Sequence, residues 1–70
     1  MNDYLIIYEQ AEDGGWGAQA PDLPGVFALG SSRSECEQRM RGAIELHLEM
    51  LRDQGSDLPT PVHTAGYIAA

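Results

Sequence analysis

The amino-acid sequence predicts a small α+β domain of two layers, with strands and helix in the order β-β-β-α-β. Three short apolar segments, separated by glycine- and proline-rich turns, lie within residues 4–29. One long helical pattern follows them and ends at Gly55. A run of strands followed by a helix is typical of a sheet covered on one face by that helix. A chain of 70 residues provides one domain, residues 1–70.

Each predicted strand is short and bounded by turn residues. The β-branched and aromatic residues of Tyr4–Tyr8 predict the first strand. The acidic Gly-Gly turn at residues 12–15 leads into a second strand over Trp16–Ala20. Two prolines make residues 21–25 a loop, because proline interrupts a strand ladder. Val26–Leu29 is the third strand, and we expect the three to form an antiparallel sheet.

The helix has the clearest start and stop signals. Ser32 followed by Glu35 fits a capping box, and Gly55 is a typical helix terminator. Two pairs of opposite charge at i,i+4 spacing support the helix between them, namely Glu35–Arg39 and Glu37–Arg41. After Gly55, Pro59 and Pro61 keep the chain extended, and Val62–Ala70 is predicted to form a short fourth strand.

The apolar side of the helix is wider than one sheet requires. It comprises Cys36, Met40, Ala43, Ile44, His47, Leu48 and Leu51, with Leu46 and Met50 extending it. This arc covers roughly 200°, whereas a surface helix needs a stripe of about 100°. Because so short a chain also buries little surface, we expect a homodimer. The predicted interface residues are Leu46, Met50, Tyr67 and Ile68.

The charge balance indicates which partners are favoured. Eleven acidic residues face four arginines and no lysine, for a formal charge of −7. This disfavours direct binding of nucleic acid, whose phosphates need basic residues, and favours a basic protein partner. The alternative is a regulatory or nucleic-acid-binding homodimer that uses Arg33, Arg39 and Arg41, although Glu35 and Glu37 interrupt that cluster.

The residues capable of chemistry do not form a recognisable site. Cys36, His47 and His63 lack the spacing of zinc ligands, so we expect no metal and no cofactor. A hydrolase would need convergence of scattered carboxylates, those of Asp3, Glu9, Asp22 and Glu35, and we do not expect an enzyme. A single cysteine, the absence of a signal peptide and the lack of a long apolar segment predict a cytoplasmic protein.

Taken in order, several motifs resemble the HicB-like antitoxins. They are the Tyr-rich strand Tyr4–Tyr8, the turn Asp13-Gly14-Gly15, Trp16-Gly17-Ala18, the loop Pro21-Asp22-Leu23-Pro24-Gly25, the helical run Ala43–Glu49, Asp53-Gln54-Gly55 and the exit Leu58-Pro59-Thr60-Pro61. No single motif is specific, but their order and spacing are. The resemblance covers residues 4–61.

The resemblance implies a partial RNase H fold, usually dimeric, that neutralises a HicA-like toxin. Such toxins are small basic proteins that cleave mRNA with a histidine, and the antitoxin masks their active site. The chain resembles a single-domain member, without the C-terminal DNA-binding domain that many members carry. From the acidic turn and the stiff loop we expect the toxin to contact Glu12, Asp13, Trp16, Asp22 and Leu23.

Overall fold

The fold is a three-stranded antiparallel sheet followed by one long helix. The computed structural model describes residues 3–70. Strands β1 (Ile7–Gln10), β2 (Trp16–Gln19) and β3 (Phe27–Gly30) pair in chain order, and helix α1 spans Arg33–Asp53. The α+β prediction is confirmed. Within residues 3–70 no helix is long and apolar enough to cross a membrane.

Strand β1 begins three residues later than predicted. Its ladder with β2 starts where Ile7 faces Gln19. Two residues further towards the N-terminus, the same register would place Leu5 opposite Pro21, which has no amide hydrogen to donate. Tyr4 and its neighbours therefore run beside the core without joining the ladder, and the Tyr4 hydroxyl donates a hydrogen bond to the Pro59 carbonyl at 2.6 Å.

Small residues on one face of the sheet make room for the helix. Tyr8, Ala18 and Ala28 face one another across the three strands on this side. Gly30 follows on the same face, and a Cβ atom added there would lie 2.7 Å from the Cys36 backbone nitrogen. The first turns of α1 therefore rest directly on the end of β3, and α1 packs against β3 and β2.

The core is small for the size of the surface that surrounds it. Leu23, Cys36 and Met40 are the fully buried side chains of appreciable size. Leu23 reaches the core because its loop makes two consecutive turns, from Leu23 N–H to Ala20 C=O at 3.0 Å and from Val26 N–H to Leu23 C=O at 3.1 Å. The remaining buried side chains are small or medium in size, namely Ala18, Ala20, Val26 and Ala28.

The helix begins at the predicted Ser32 cap, but the Glu35 side chain returns its hydrogen bond to Ser31 and not to Ser32. The Ser32 hydroxyl accepts a hydrogen bond from the Glu35 backbone amide at 3.1 Å. The Glu35 carboxylate accepts from the Ser31 amide at 2.8 Å, one residue before the cap. Hydrogen bonds from the Ser31 backbone and hydroxyl, together with the Arg39 guanidinium, hold the pKa of Glu35 below its usual range. Gly55 ends the helix with φ of 71°.

The predicted fourth strand is not formed in this structure. The amides of Val62 and His63 donate to the Asp22 carboxylate, both at 3.2 Å, instead of to a strand. Beyond them Tyr67 and Ile68 are 100% and 96% exposed. Because a strand needs a partner edge, a segment that is held by one side chain and then leaves the surface has no ladder to join.

The close approach of α1 to β3 predicts opposite effects of alanine at two glycines. Gly30→Ala should lower the free energy of unfolding by about 1–3 kcal/mol, because the new methyl group meets the backbone of Cys36. Gly42→Ala, in open space in the middle of α1, should raise it by about 0.5–1 kcal/mol. Urea unfolding measures the free energy of unfolding of both variants. Equal changes would contradict the close packing of α1 on the end of β3.

Candidate partner-binding surface

The structure separates the five residues expected to contact a toxin into two groups. Glu12, Asp13 and Trp16 lie at the β1–β2 turn, beside Gln10 and Gly30. Asp22 and Leu23 lie in the β2–β3 loop, which follows Gln19 at the other end of the sheet. The five residues therefore do not form one continuous site.

The β1–β2 turn is rigidly built and presents its acids outward. The Ala11 amide donates to the Gly15 carbonyl at 2.8 Å, and the Gly14 amide donates to the Ala11 carbonyl at 2.9 Å. The Asp13 carboxylate accepts from the Gly15 amide at 2.9 Å. Gly14 has φ of 92°, which glycine adopts without strain. Glu12 and Asp13 are both exposed on this turn.

A shallow groove of about 430 Å³ lies beside the turn. Half-buried Trp16 and exposed Leu29 give it apolar walls, and Glu9 and Asp13 give it carboxylates. The name hairpin surface is used below for these four residues together with Glu12. Trp16 packs against the core and also lines this surface groove.

The hairpin surface continues onto the side of the sheet that α1 does not cover. Phe27 and Leu29 are 67% and 66% exposed there, and Ile7 is also exposed. A second groove, of about 220 Å³, runs between them over Gly17. We call this side, formed by Ile7, Glu9, Gly17, Gln19, Phe27 and Leu29, the open sheet face. It adjoins the hairpin surface because both grooves are lined by Glu9, Gly17 and Leu29.

Sequence reasoning missed Phe27 and Leu29, although a signal for them exists. Along β3 small Ala28 and Gly30 alternate with large Phe27 and Leu29. Successive side chains of a strand point to opposite faces, and glycine in a strand often marks a close approach of another backbone, so the small positions mark the covered face and the large positions the exposed one.

Charge is distributed unevenly between the sheet and the helix. All four arginines lie on α1, whereas residues 1–32 contain five carboxylates and no basic residue. Three of the arginines have contacts within the chain. Arg33 lies 4.2 Å from the centre of the Tyr8 ring, Arg39 donates to the Leu29 carbonyl at 3.0 Å, and Arg41 lies 3.5 Å from Glu37. The predicted pairs Glu35–Arg39 and Glu37–Arg41 are thus confirmed, at 3.6 and 3.5 Å.

Asp22 and Leu23 point inward, which removes their side chains from the predicted contact surface. The Leu23 side chain is fully buried in the core. The Asp22 carboxylate is 4% exposed and lies 2.6 Å from the His63 ring nitrogen Nδ1. Together with the amides of Val62 and His63 this contact forms what we call the carboxylate clasp, which fixes the C-terminal segment to the β2–β3 loop.

The clasp stabilises the charged form of Asp22. Burial by itself raises the pKa of the Asp22 carboxyl, because it penalises the negative charge. The hydrogen bonds from the His63 ring and from the His63 and Val62 amides together outweigh burial, so the pKa lies below its ordinary value of 3.8. The His63 side chain is 53% exposed, and its ring nitrogen is held by this contact.

The residues predicted for a dimer interface are all exposed. Leu46 and Met50 line a groove of about 230 Å³ with Phe27 and half-buried His47. We call this the helix-edge groove; its other lining residues are Gly25, Val26 and Ala43, so it contains no carboxylate. Tyr67 and Ile68 lie in the C-terminal segment beyond the carboxylate clasp. The structure therefore places the two pairs on different parts of the surface.

Cys36, Glu35 and Asp22, considered above for chemistry, are all engaged in contacts that support the fold. Cys36 is fully buried and its thiol lies 3.6 Å from the Ala28 carbonyl. Of the carboxylates considered for hydrolysis, Glu35 holds the helix start and Asp22 holds the clasp. Among residues 3–70, no three His, Cys, Asp or Glu side chains are grouped so that they could hold a metal ion.

Comparison with known proteins identifies the family. Residues 4–70 match the family described as the HicB_like antitoxin of bacterial toxin-antitoxin systems. The chain belongs to the HicB-like antitoxin family. The resemblance seen in the sequence is thus confirmed.

Relatives and a solved structure agree with this assignment. A UPF0150 protein of Archaeoglobus fulgidus is 36% identical over 50 residues, which cover 71% of this chain and 72% of the relative. A UPF0150 protein of Synechocystis is 39% identical over 58 residues, covering 81% of each chain. The crystal structure of the N-terminal domain of the Burkholderia pseudomallei antitoxin HicB matches with a TM-score of 0.76 and 29% identity, over 84% of this chain and 69% of that one.

The carboxylate clasp of this HicB-like antitoxin predicts a specific response to acid. Because the pKa of Asp22 is lower in the folded chain, its contribution to stability is present above the unfolded pKa of 3.8 and is lost as pH falls through the folded value. Asp22→Asn should therefore lose less stability than the parent chain between pH 5 and about pH 3. Urea unfolding across this range measures the difference.

His63→Gln serves as the matched variant, because it keeps the two backbone amides and removes the ring. Its acid response should lie between those of the parent chain and Asp22→Asn. Identical pH profiles for all three proteins would show that the clasp does not contribute.

Proposed function

We propose that this antitoxin binds and occludes a small basic HicA-like, mRNA-cleaving toxin through the hairpin surface and the adjoining open sheet face. The observation that carries the proposal is the combination of exposed apolar side chains with exposed carboxylates, Glu9 and Glu12, that form no ion pair within residues 3–70. Phe27 and Leu29 provide exposed apolar contact area, half-buried Trp16 lines the adjoining groove, and Glu9 and Glu12 provide charge. Membership in the antitoxin family supports a protein partner of this kind.

The two kinds of residue contribute at different stages of binding. Carboxylates of the hairpin surface attract a basic protein over long range and raise its association rate. Apolar side chains then lose their contact with water, which slows dissociation. A toxin that binds RNA must present basic groups for the phosphates, so carboxylates held against those groups compete with RNA for the same site.

The alternative, a nucleic-acid-binding homodimer without a toxin, receives less support. It depends on Arg33, Arg39 and Arg41, and each of these has a contact within the chain. Binding a phosphate there requires giving up an aromatic, carbonyl or carboxylate partner. We place the antitoxin in the cytoplasm, where mRNA is available to the toxin it would restrain.

We also propose a homodimer that uses the helix-edge groove. Its lining carries no carboxylate, so two chains with a charge of −7 can meet there with little local repulsion. Leu46 and Met50 from each copy would bury apolar surface that the small core leaves exposed. Tyr67 and Ile68 belong to the predicted interface as well, since their side chains make so little contact within one chain.

Reversing charge on the hairpin surface should slow toxin binding. In Glu9→Arg/Glu12→Arg we expect the association rate with a HicA-like toxin, inactivated at its histidine, to fall by about tenfold at low salt. The loss should shrink as salt screens the charges. Surface plasmon resonance measures the rate at several salt concentrations.

The matched control, Glu49→Arg/Asp53→Arg, changes the net charge equally on the far part of α1. It should slow association by less than about threefold. If both double variants slow binding equally, the net charge alone steers the toxin, and the assignment to the hairpin surface is wrong.

The dimer proposal has its own test in sedimentation equilibrium. The parent chain should sediment as a species of twice 7.6 kDa at micromolar concentration. Leu46→Glu/Met50→Glu should shift it to the monomer, because each copy would place two charges in an apolar contact. Ile7→Glu, on the open sheet face, should leave the dimer intact. A monomeric parent chain would contradict the proposal.

A further inference from the structure

A fourth groove, of about 330 Å³, lies between α1 and β1 on the covered side of the sheet. It exists because a helix about 10 Å wide covers two strands spaced about 4.8 Å apart, and α1 lies over β3 and β2. The inner face of β1 is therefore not covered by α1. The apolar lining of the groove consists of five half-buried or buried side chains, from the β1 side and from α1: Tyr4, Ile6, Tyr8, Met40 and Ile44.

The two walls of this groove match in length. On α1 its lining follows the spacing i, i+3, i+4, i+7 and i+8 from Glu37 to Glu45, which is one continuous stripe about 12 Å long. On the strand side Tyr4, Ile6 and Tyr8 alternate over about 13 Å. The groove therefore runs along two turns of α1, with room in the helical layer for a neighbouring segment.

The rim of the groove is acidic. Asp3, Glu37 and Glu45 line it, against a single basic lining residue, Arg41. Arg41 lies 3.5 Å from Glu37 and is thereby partly neutralised. At the Tyr8 end of the groove Arg33 lies 4.2 Å from the centre of the Tyr8 ring and adds a positive charge there. The uncompensated negative charge is concentrated at Asp3 and Glu45.

We propose that this groove binds an amphipathic helix of a basic partner protein. The apolar stripe of that helix would lie on Ile6, Tyr8 and Ile44, and its lysine or arginine residues would meet Asp3 and Glu45. A helix beside α1 completes the second layer of the domain at the usual separation of 8–10 Å. A second copy of α1 fits poorly there, because its own Glu37 and Glu45 would oppose the acidic rim. The surface is separate from the one proposed for toxin binding, and either assignment can fail alone.

The probe for this site is a synthetic amphipathic peptide of about 14 residues, the length at which an isolated helix becomes marginally stable in water. It carries leucine on one stripe, lysine on both flanks and alanine elsewhere. Titrated into the full, nitrogen-15-labelled chain, it should shift amide resonances of residues 4–8 and 37–45. A version with glutamate in place of lysine should not bind.

Two single variants on α1 make the test specific. Glu45→Lys, on the rim, should weaken the peptide about fivefold. Glu49→Lys, one turn further along and outside the groove, makes the same change of charge and should weaken it by less than about twofold. The ratio of the two dissociation constants separates a local contact from the attraction of any cation to an acidic protein.

Either of two results would overturn the proposal. One is an equal effect of Glu45→Lys and Glu49→Lys, which would mean that the peptide senses only the net charge. The other is a set of shifts confined to the open sheet face or to the helix-edge groove. Neither result bears on the toxin experiment, which uses different residues and a different partner.

Discussion

One helix must cover a sheet of three strands, and most features of this molecule follow from that constraint. A helix spans two strands, and α1 takes β3 and β2. It can lie close to them because Ala18, Ala28 and Gly30 are small, to the point that a methyl group on Gly30 would meet the Cys36 backbone. The inner side of β1 and the whole outer side of the sheet are left for other contacts.

Positive side-chain charge is found only on the helix, whereas the sheet carries negative charge alone. All four arginines lie on α1, where Arg39 and Arg41 pair with Glu35 and Glu37 and Arg33 lies on Tyr8, so the sheet end of the molecule remains acidic. That acidity coincides with exposed Phe27 and Leu29. The proposed binding of a basic toxin would use both properties, charge for fast association and apolar contact for slow dissociation. The helix-edge groove, whose lining contains no carboxylate, offers a contact of a different kind, which we propose for a second copy.

Local signals in the sequence were enough to predict the helix, its Ser32 cap, its ion pairs and the order of the strands. The start of β1 was predicted wrongly because it depends on the partner strand, where Pro21 ends the ladder. The roles of Asp22 and Leu23 could not be predicted for a similar reason. Asp22 meets residues about forty positions away in the chain, and Leu23 reaches the core through two turns.

The most direct test of the account is amide hydrogen exchange of the antitoxin, alone and saturated with an inactivated HicA-like toxin. Binding through the hairpin surface and the open sheet face predicts slower exchange in residues 9–17 and 27–29, where backbone amides would lose their access to water. Amides in the last two turns of α1 should exchange as they do in the free chain. Protection confined to α1, with the hairpin unchanged, would contradict the central claim.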